Sequence, residues 1–401
     1  MYIGEQLIDP TDARLRLSAQ LGCKGIVIDS RPNRDVAEAD GAWSAARVTE
    51  QRRRVEGFGM RLDGMALDVG SILLDSLRAP ERAAQAAERL RQNIRAAAAG
   101  GVPMLKYTVA MVGITRTGTT EGRGGMRCSV FRAADYRSEN DARFSYWGVV
   151  LPEHDGAAFA APLAGEGRAR SAPGGGKSSA PEQAASPSPA LPRERGRGRR
   201  SRERGRGLHG TPETGGQVLA HEAGAISEAD GWRAIEYLVS ELLPTAEREG
   251  VRLACHPHDP AYPPGGLNGV HHVMGSLDGM RRFVALAPES TFHGFNFCQG
   301  TIAEMSTRPT ETVLEAIRTF GPQRRIFMVH FRNIVGGYLD FREAMPDEGS
   351  VDMPACIRAY REVGYDGILC PDHVPFSDLD RDRERFFSFC LGYTKALLQV
   401  A

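Results

Sequence analysis

The sequence predicts a (β/α)8 barrel interrupted by a long disordered low-complexity insertion. Eight short strand-like runs occur: "MYIGEQ", "KGIVID", "MRLDGMAL", "VPMLKYTVA", "VRLACH", "TFHGFNFC", "IFMVHF" and "DGILCP". Helical patterns separate them, the alternation that builds a parallel barrel. Most of the runs are continuously apolar rather than alternating, as strands are when crossover helices cover both faces. A doubly wound open sheet would instead place a Gly-rich phosphate turn after an early strand. The stretch after "KGIVID" reads "RPNRDVAEADGAW", which is no such turn.

In chain order, the first four runs fall within residues 1–151, the N-terminal half of the barrel. Their clearest helix is residues 79–99, "APERAAQAAERLRQNIRAAAA", ending at Gly100. Residues 152–216 then shift to Gly, Pro, Ala, Ser and Arg. They have almost nothing aliphatic to bury, so ordering them has no offset and disorder is expected. Within them, residues 193–206 carry eight arginines against Glu194 and Glu203. Without interleaved aromatics this run reads as a solvated loop rather than a nucleic-acid arm. Residues 217–401 form the C-terminal half, with helices expected at 232–248, 277–287, 310–320 and 354–363. Gly250, Gly321 and Gly364 stand where C-caps belong.

Fifty basic residues balance fifty acidic ones among 401, so net charge gives no reason for nucleic acid or an anionic membrane as partner. No apolar run is long enough to span a bilayer, and "MYIGEQLIDP" lacks the basic and apolar regions of a secretory signal, so a cytoplasmic location is expected. Seven cysteines without close pairing argue against a disulfide framework and are expected mostly as buried small hydrophobes.

The last four strand ends carry the chemistry. "LACHPHDP" places His256, "GFNFCQG" Cys298, "FMVHFRN" His330 and "ILCPDHVP" Asp372. All carboxyl ends of a parallel barrel open on one face, so these four should converge. Two imidazoles, a thiolate and a carboxylate make a suitable donor set for a divalent transition metal. Asp259, Arg332, Asn333 and Arg116 stand nearby as expected substrate contacts, the guanidinium forks matching a carboxylate. A neighbouring His or Asp, with His258, Asp259, Asp372 and His373 all at hand, would serve as acid or base. His293 lies inside a strand and reads as a core histidine, and His271 with His272 reads as a surface pair.

The motifs "ACHPHDP", "FNFCQGT", "VHFRNI" with "DEGSVDM" downstream, and "PDH" resemble the mannonate dehydratase family, most strongly over residues 232–401. The resemblance implies a xylose-isomerase-like TIM barrel and a lyase that removes water from D-mannonate to give 2-keto-3-deoxy-D-gluconate in hexuronate breakdown, with Mn2+ or Fe2+ as cofactor. It implies His256, Cys298, His330 and Asp372 as metal ligands and His373 as acid-base partner. The partner expected is a small sugar acid, and a homo-oligomer is compatible with this reading. Two alternatives are a sugar isomerase or epimerase on the same barrel and a non-catalytic relative. His258 stands where the family has an acidic residue, Cys370 where it has an arginine, and residues 374–389 offer no clear match for its tyrosine. These departures bear on substrate choice rather than on the metal.

Overall fold

The computed structural model describes residues 1–29, 33, 35–110, 114–136, 145–146, 149–150, 226–267 and 269–401. The insertion expected at 152–216 lies outside them. In chain order the strands are β1 (Tyr2–Leu7), β2 (Gly25–Ile28), β3 (Arg61–Ala66), β4 (Met104–Thr108), β5 (Gly118–Glu121), β6 (Arg127–Arg132), β7 (Ser145–Tyr146), β8 (Val149–Val150), β9 (Arg252–His256), β10 (His293–Cys298), β11 (Ile326–His330), β12 (Asn333–Gly337), β13 (Asp340–Ala344) and β14 (Ile368–Cys370).

A closed barrel runs in the order β1-β14-β11-β10-β9-β4-β3-β2, every pair parallel. Its eight strands are the eight predicted runs, four from each side of the insertion. The strands β2, β10 and β11 are buried along their whole length, which suits the apolar runs of β2 and of β11 up to His330. Val27, Met104, Ala254, Phe327, Met328, Ile368 and Cys370 form one apolar cluster. A larger cluster packs the strands against the surrounding helices. Among the described residues no helix is long and apolar enough to cross a membrane.

The helices follow local signals. Helix Glu228–Glu249 begins four residues before the predicted start because Ser227 and Asp230 form a capping box, and it stops at Gly250 in the left-handed conformation (φ 71). Asp352 caps Met353–Glu362 by accepting from the Ala355 N–H at 2.8 Å.

One layer was not foreseen. Strands β12, β13, β6 and β5 form an antiparallel sheet in that order. Two of its strands follow barrel strand β4 and two follow β11. Both segments leave the carboxyl ends of their strands, so this sheet stands on the face where the predicted ligands lie.

Candidate metal centre

Strand register brings the ligand-type residues to one height. Cys298 pairs with His330 across β10 and β11, and His330 pairs with Cys370 two residues before Asp372. Strands lie about 4.8 Å apart, so side chains in register on adjacent strands can share a small ion. One donor atom from each of His256, Cys298, His330 and Asp372 lies within 4.8 Å of all the others. Cys298 and His330 are buried, whereas His256 and Asp372 keep some exposure toward the open face.

Each donor is aimed by a neighbour. His256 Nδ1 donates to the Pro257 carbonyl at 2.6 Å, which leaves Nε2 as its ligand nitrogen. Burial holds the His256 pKa below its ordinary value and so keeps the ring neutral, the form that binds metal. Cys298 Sγ accepts from Thr301 Oγ1 at 3.1 Å and from Arg332 Nη1 at 3.7 Å, contacts that suit a thiolate. Burial opposes the charge of Asp372, but His373 and His330 beside it outweigh this and hold its carboxyl well below the usual range. His330 Nδ1 and Asp372 Oδ2 are 3.2 Å apart, both buried, and neither has a hydrogen-bond partner. Two orphaned donors facing each other in a mixed nitrogen, sulfur and oxygen set are what a divalent metal would satisfy.

Beside this set lies a buried ion network. Arg116 donates to Asp259 at 2.6 Å and to Glu343 at 2.7 Å. Arg332 donates to Asp259 at 2.9 Å, to Glu343 at 2.7 and 2.8 Å, and to Glu304 at 2.5 Å. Burial would raise all three acids. For Asp259 the two arginines reverse this and hold it well below its usual value, and for Glu343 Arg332, His373 and Arg116 lower it to about 2. Glu304 stays well above its usual value, because burial and the nearby Asp259 prevail there. Two guanidinium groups thus face three acids, paired closely enough for the cluster to stay buried.

Arg116, Arg332 and Asp259, the expected substrate contacts, are all buried and engaged with one another. Asn333, also expected as a substrate contact, is held by backbone groups. Its Nδ2 donates to the Pro346 and Val351 carbonyls, and its Oδ1 accepts from the Ile334 and Val351 N–H groups, which fills the side chain. A Cβ on Gly349 would stand 2.0 Å from Asn333 Oδ1, so this glycine makes room for the clamp. The joint occurrence of "HFRN" and "DEGSVDM" thus has a structural cause.

His373 sits in the left-handed region (φ 48), uncommon for a residue with a side chain. Its Nδ1 meets Glu343 Oε1 at 2.9 Å, and its Nε2 lies 3.5 Å from Asp372 Oδ2. With Nδ1 turned to a carboxylate, Nε2 is left facing the ligand set. Glu343 had no signal in the sequence beyond being one acid in "FREA". His293 is buried with Nε2 on the Phe283 carbonyl at 2.8 Å, a core histidine as read. His272 is half-buried: it stacks on Tyr262 at 3.6 Å and neighbours His258 at 4.5 Å. All seven cysteines are buried and free.

Residues 217–386 match the family model described as D-mannonate dehydratase (UxuA). Among curated proteins, mannonate dehydratase 2 of Halalkalibacterium halodurans is 34% identical over 151 residues, 37% of this chain and 42% of that protein. The mannonate dehydratase of Streptococcus uberis is 36% identical over 151 residues, 37% and 41% of the two chains. The matched part thus spans about two fifths of these relatives' length. Among solved structures, mannonate dehydratase from Streptococcus suis serotype 2 superposes with a TM-score of 0.66 at 20% identity, covering 99% of this chain and 94% of that one. The 3-keto-D-glucoside 4-epimerase of E. coli gives 0.52 at 10% identity, covering 99% of each. At such identities the likeness is one of fold.

Proposed function

We propose that the chain is a mannonate dehydratase relative, on the strength of the match over residues 217–386, and that it dehydrates a sugar acid, D-mannonate or a close relative, to a 2-keto-3-deoxy acid and water. The observation that carries this reading is the pair of orphaned donors, His330 Nδ1 and Asp372 Oδ2, within a four-residue ligand set inside the matched segment. His256, Cys298, His330 and Asp372 would hold Mn2+ or Fe2+. When bound, such an ion supplies Lewis acidity that makes the proton on C2 of a chelated hydroxy acid easier to remove.

The chain's own groups do the rest. His373 takes the C2 proton at Nε2, held in position by Glu343 at Nδ1. Asp372, with Oδ2 3.5 Å from that nitrogen, places a negative charge where the ring gains its proton. The C3 hydroxyl leaves with a proton as water, and the resulting enol becomes the 2-keto product, so substrate equals product plus water. The Arg116, Arg332, Asp259, Glu304 and Glu343 network serves as a rigid wall that fixes Cys298 and His373. A cytoplasmic setting accords with seven reduced cysteines.

The test is product analysis by NMR after incubating the manganese-loaded chain with a panel of hexonic and hexuronic acids. A 2-keto-3-deoxy product supports dehydration. A product of unchanged molecular formula points to an isomerase or epimerase and overturns the proposal.

A further inference from the structure

Beneath the ligand set, on the opposite wall of the barrel, stand three polar side chains that neither the ligand set nor the proton transfers use: Gln6 of β1, Asp29 just past β2 and Lys106 of β4. Lys106 is buried and ion-paired to Asp29 Oδ1 at 3.0 Å, and its ammonium also donates to Gln6 Oε1. Gln6 Nε2 donates to Asp29 Oδ2 at 3.0 Å. Gln6 Oε1 then meets His330 Nε2 at 2.9 Å.

Donor and acceptor rules leave this amide one orientation. An ammonium only donates and a carboxylate only accepts, so the end of Gln6 near Lys106 must be oxygen and the end near Asp29 must be nitrogen. The oxygen that faces His330 can only accept, and Nε2 of that ring must therefore carry its proton. Nδ1 is then the nitrogen left toward Asp372 Oδ2, 3.2 Å away. Asn296 lies beside the same nitrogen, its amide 3.2 Å from His330 Nε2 and its buried Oδ1 without a partner; a protonated Nε2 requires the amide turned so that oxygen faces the ring.

We infer that Asp29, Lys106 and Gln6 are positioning residues that set the His330 tautomer, so that Nδ1 is prepared as a metal ligand before any metal arrives. The inference rests on the metal-site reading above but not on the substrate or the reaction. Outer partners of this kind typically change metal affinity about 10- to 100-fold.

The experiment uses the full metal-free chain with 15N-labelled histidine. Imidazole nitrogen shifts are read at about pH 8, and the His330 signals are assigned by their loss in His330→Asn. The expected wild-type spectrum shows a protonated Nε2 and a bare Nδ1. Gln6→Met and Lys106→Met should move those shifts toward the other tautomer and weaken binding of manganese alone about 10-fold or more. Gln6→Glu, which keeps an acceptor, should restore the wild-type pattern. A wild-type His330 protonated at Nδ1, or unchanged shifts and manganese affinity in both methionine variants, overturns the inference. If the methionine variants fail to fold, the wild-type and Gln6→Glu spectra still decide. A protein with the expected tautomer that dehydrates no sugar acid would remove the proposed function and leave this inference standing.

Discussion

Replacing Arg332 with methionine separates a structural arginine from one that reaches for substrate. The side chain is 1% exposed and donates to Asp259, Glu304 and Glu343 at 2.9, 2.5 and 2.7 Å. In Arg332→Met the stem still fits against Gly300, where a Cβ would meet Arg332 Cδ at 2.6 Å. The charge, however, is gone, and the two carboxylates held ionised have Arg116 as their remaining guanidinium. A close pair in a partly polar interior is worth about 4 kcal/mol at an effective dielectric of about 20. Breaking one side of a buried pair costs about 3–5 kcal/mol, because the remaining charge stays desolvated. That is a large part of the roughly 5–15 kcal/mol by which a folded domain is stable. Urea unfolding at neutral pH, followed by tryptophan fluorescence, should therefore show a loss of about 3 kcal/mol or more. The Arg332→Met and Glu304→Gln double-mutant cycle should show a coupling of about 1 kcal/mol or more. A loss under about 1 kcal/mol, the range of exposed ion pairs, would refute the reasoning and return Arg332 to the role of a surface arginine free to meet substrate.

Two further outcomes follow from the same geometry. Burial lowers the His293 pKa to about 4 against an ordinary 6.5, so the stability it contributes is present above about pH 6.5 and is lost as the pH falls toward 4. At 1.36 kcal/mol per unit this amounts to about 3 kcal/mol. His293→Gln, which keeps a donor for the Phe283 carbonyl, should flatten the stability profile over that window, and parallel profiles for the two proteins would exclude His293 as the cause. Glu343→Gln should lower turnover of the proposed substrate by about 10- to 100-fold through loss of the charged partner of His373, while manganese affinity stays within a few-fold of wild type. Wild-type turnover in this variant would show that Glu343 does not position His373.

The barrel was legible because strands buried on both faces leave continuous apolar runs, and "KGIVID" or "IFMVHF" could be little else. The ligand set was legible for a related reason: residues that end consecutive parallel strands share one face whatever separates them in sequence. What lay beyond those ends was not. Arg332 and Asn333 follow β11 as polar residues at an apparent rim, and nothing local reveals that an antiparallel sheet closes over them. That sheet pairs β6 with β13, segments some two hundred residues apart with the insertion between them, and their strands, with charged residues at the ends of β6 and within β13, lack the signature of the barrel runs. Glu343 rides on β13 and shares no spacing with "PDH". Gln6 and Lys106 were read only as members of strands, since a polar residue in a barrel wall declares its partner only when the opposite strand is known.

Four strand ends converge on one candidate metal site. Titration of manganese into the full metal-free chain, with stoichiometry read by native mass spectrometry and affinity by calorimetry, tests it most directly. The prediction is one ion per chain in the wild type, lost on Cys298→Ala and on His330→Ala and kept on Arg116→Met. A wild-type chain that takes up no ion, or alanine variants that bind as the wild type does, would contradict it.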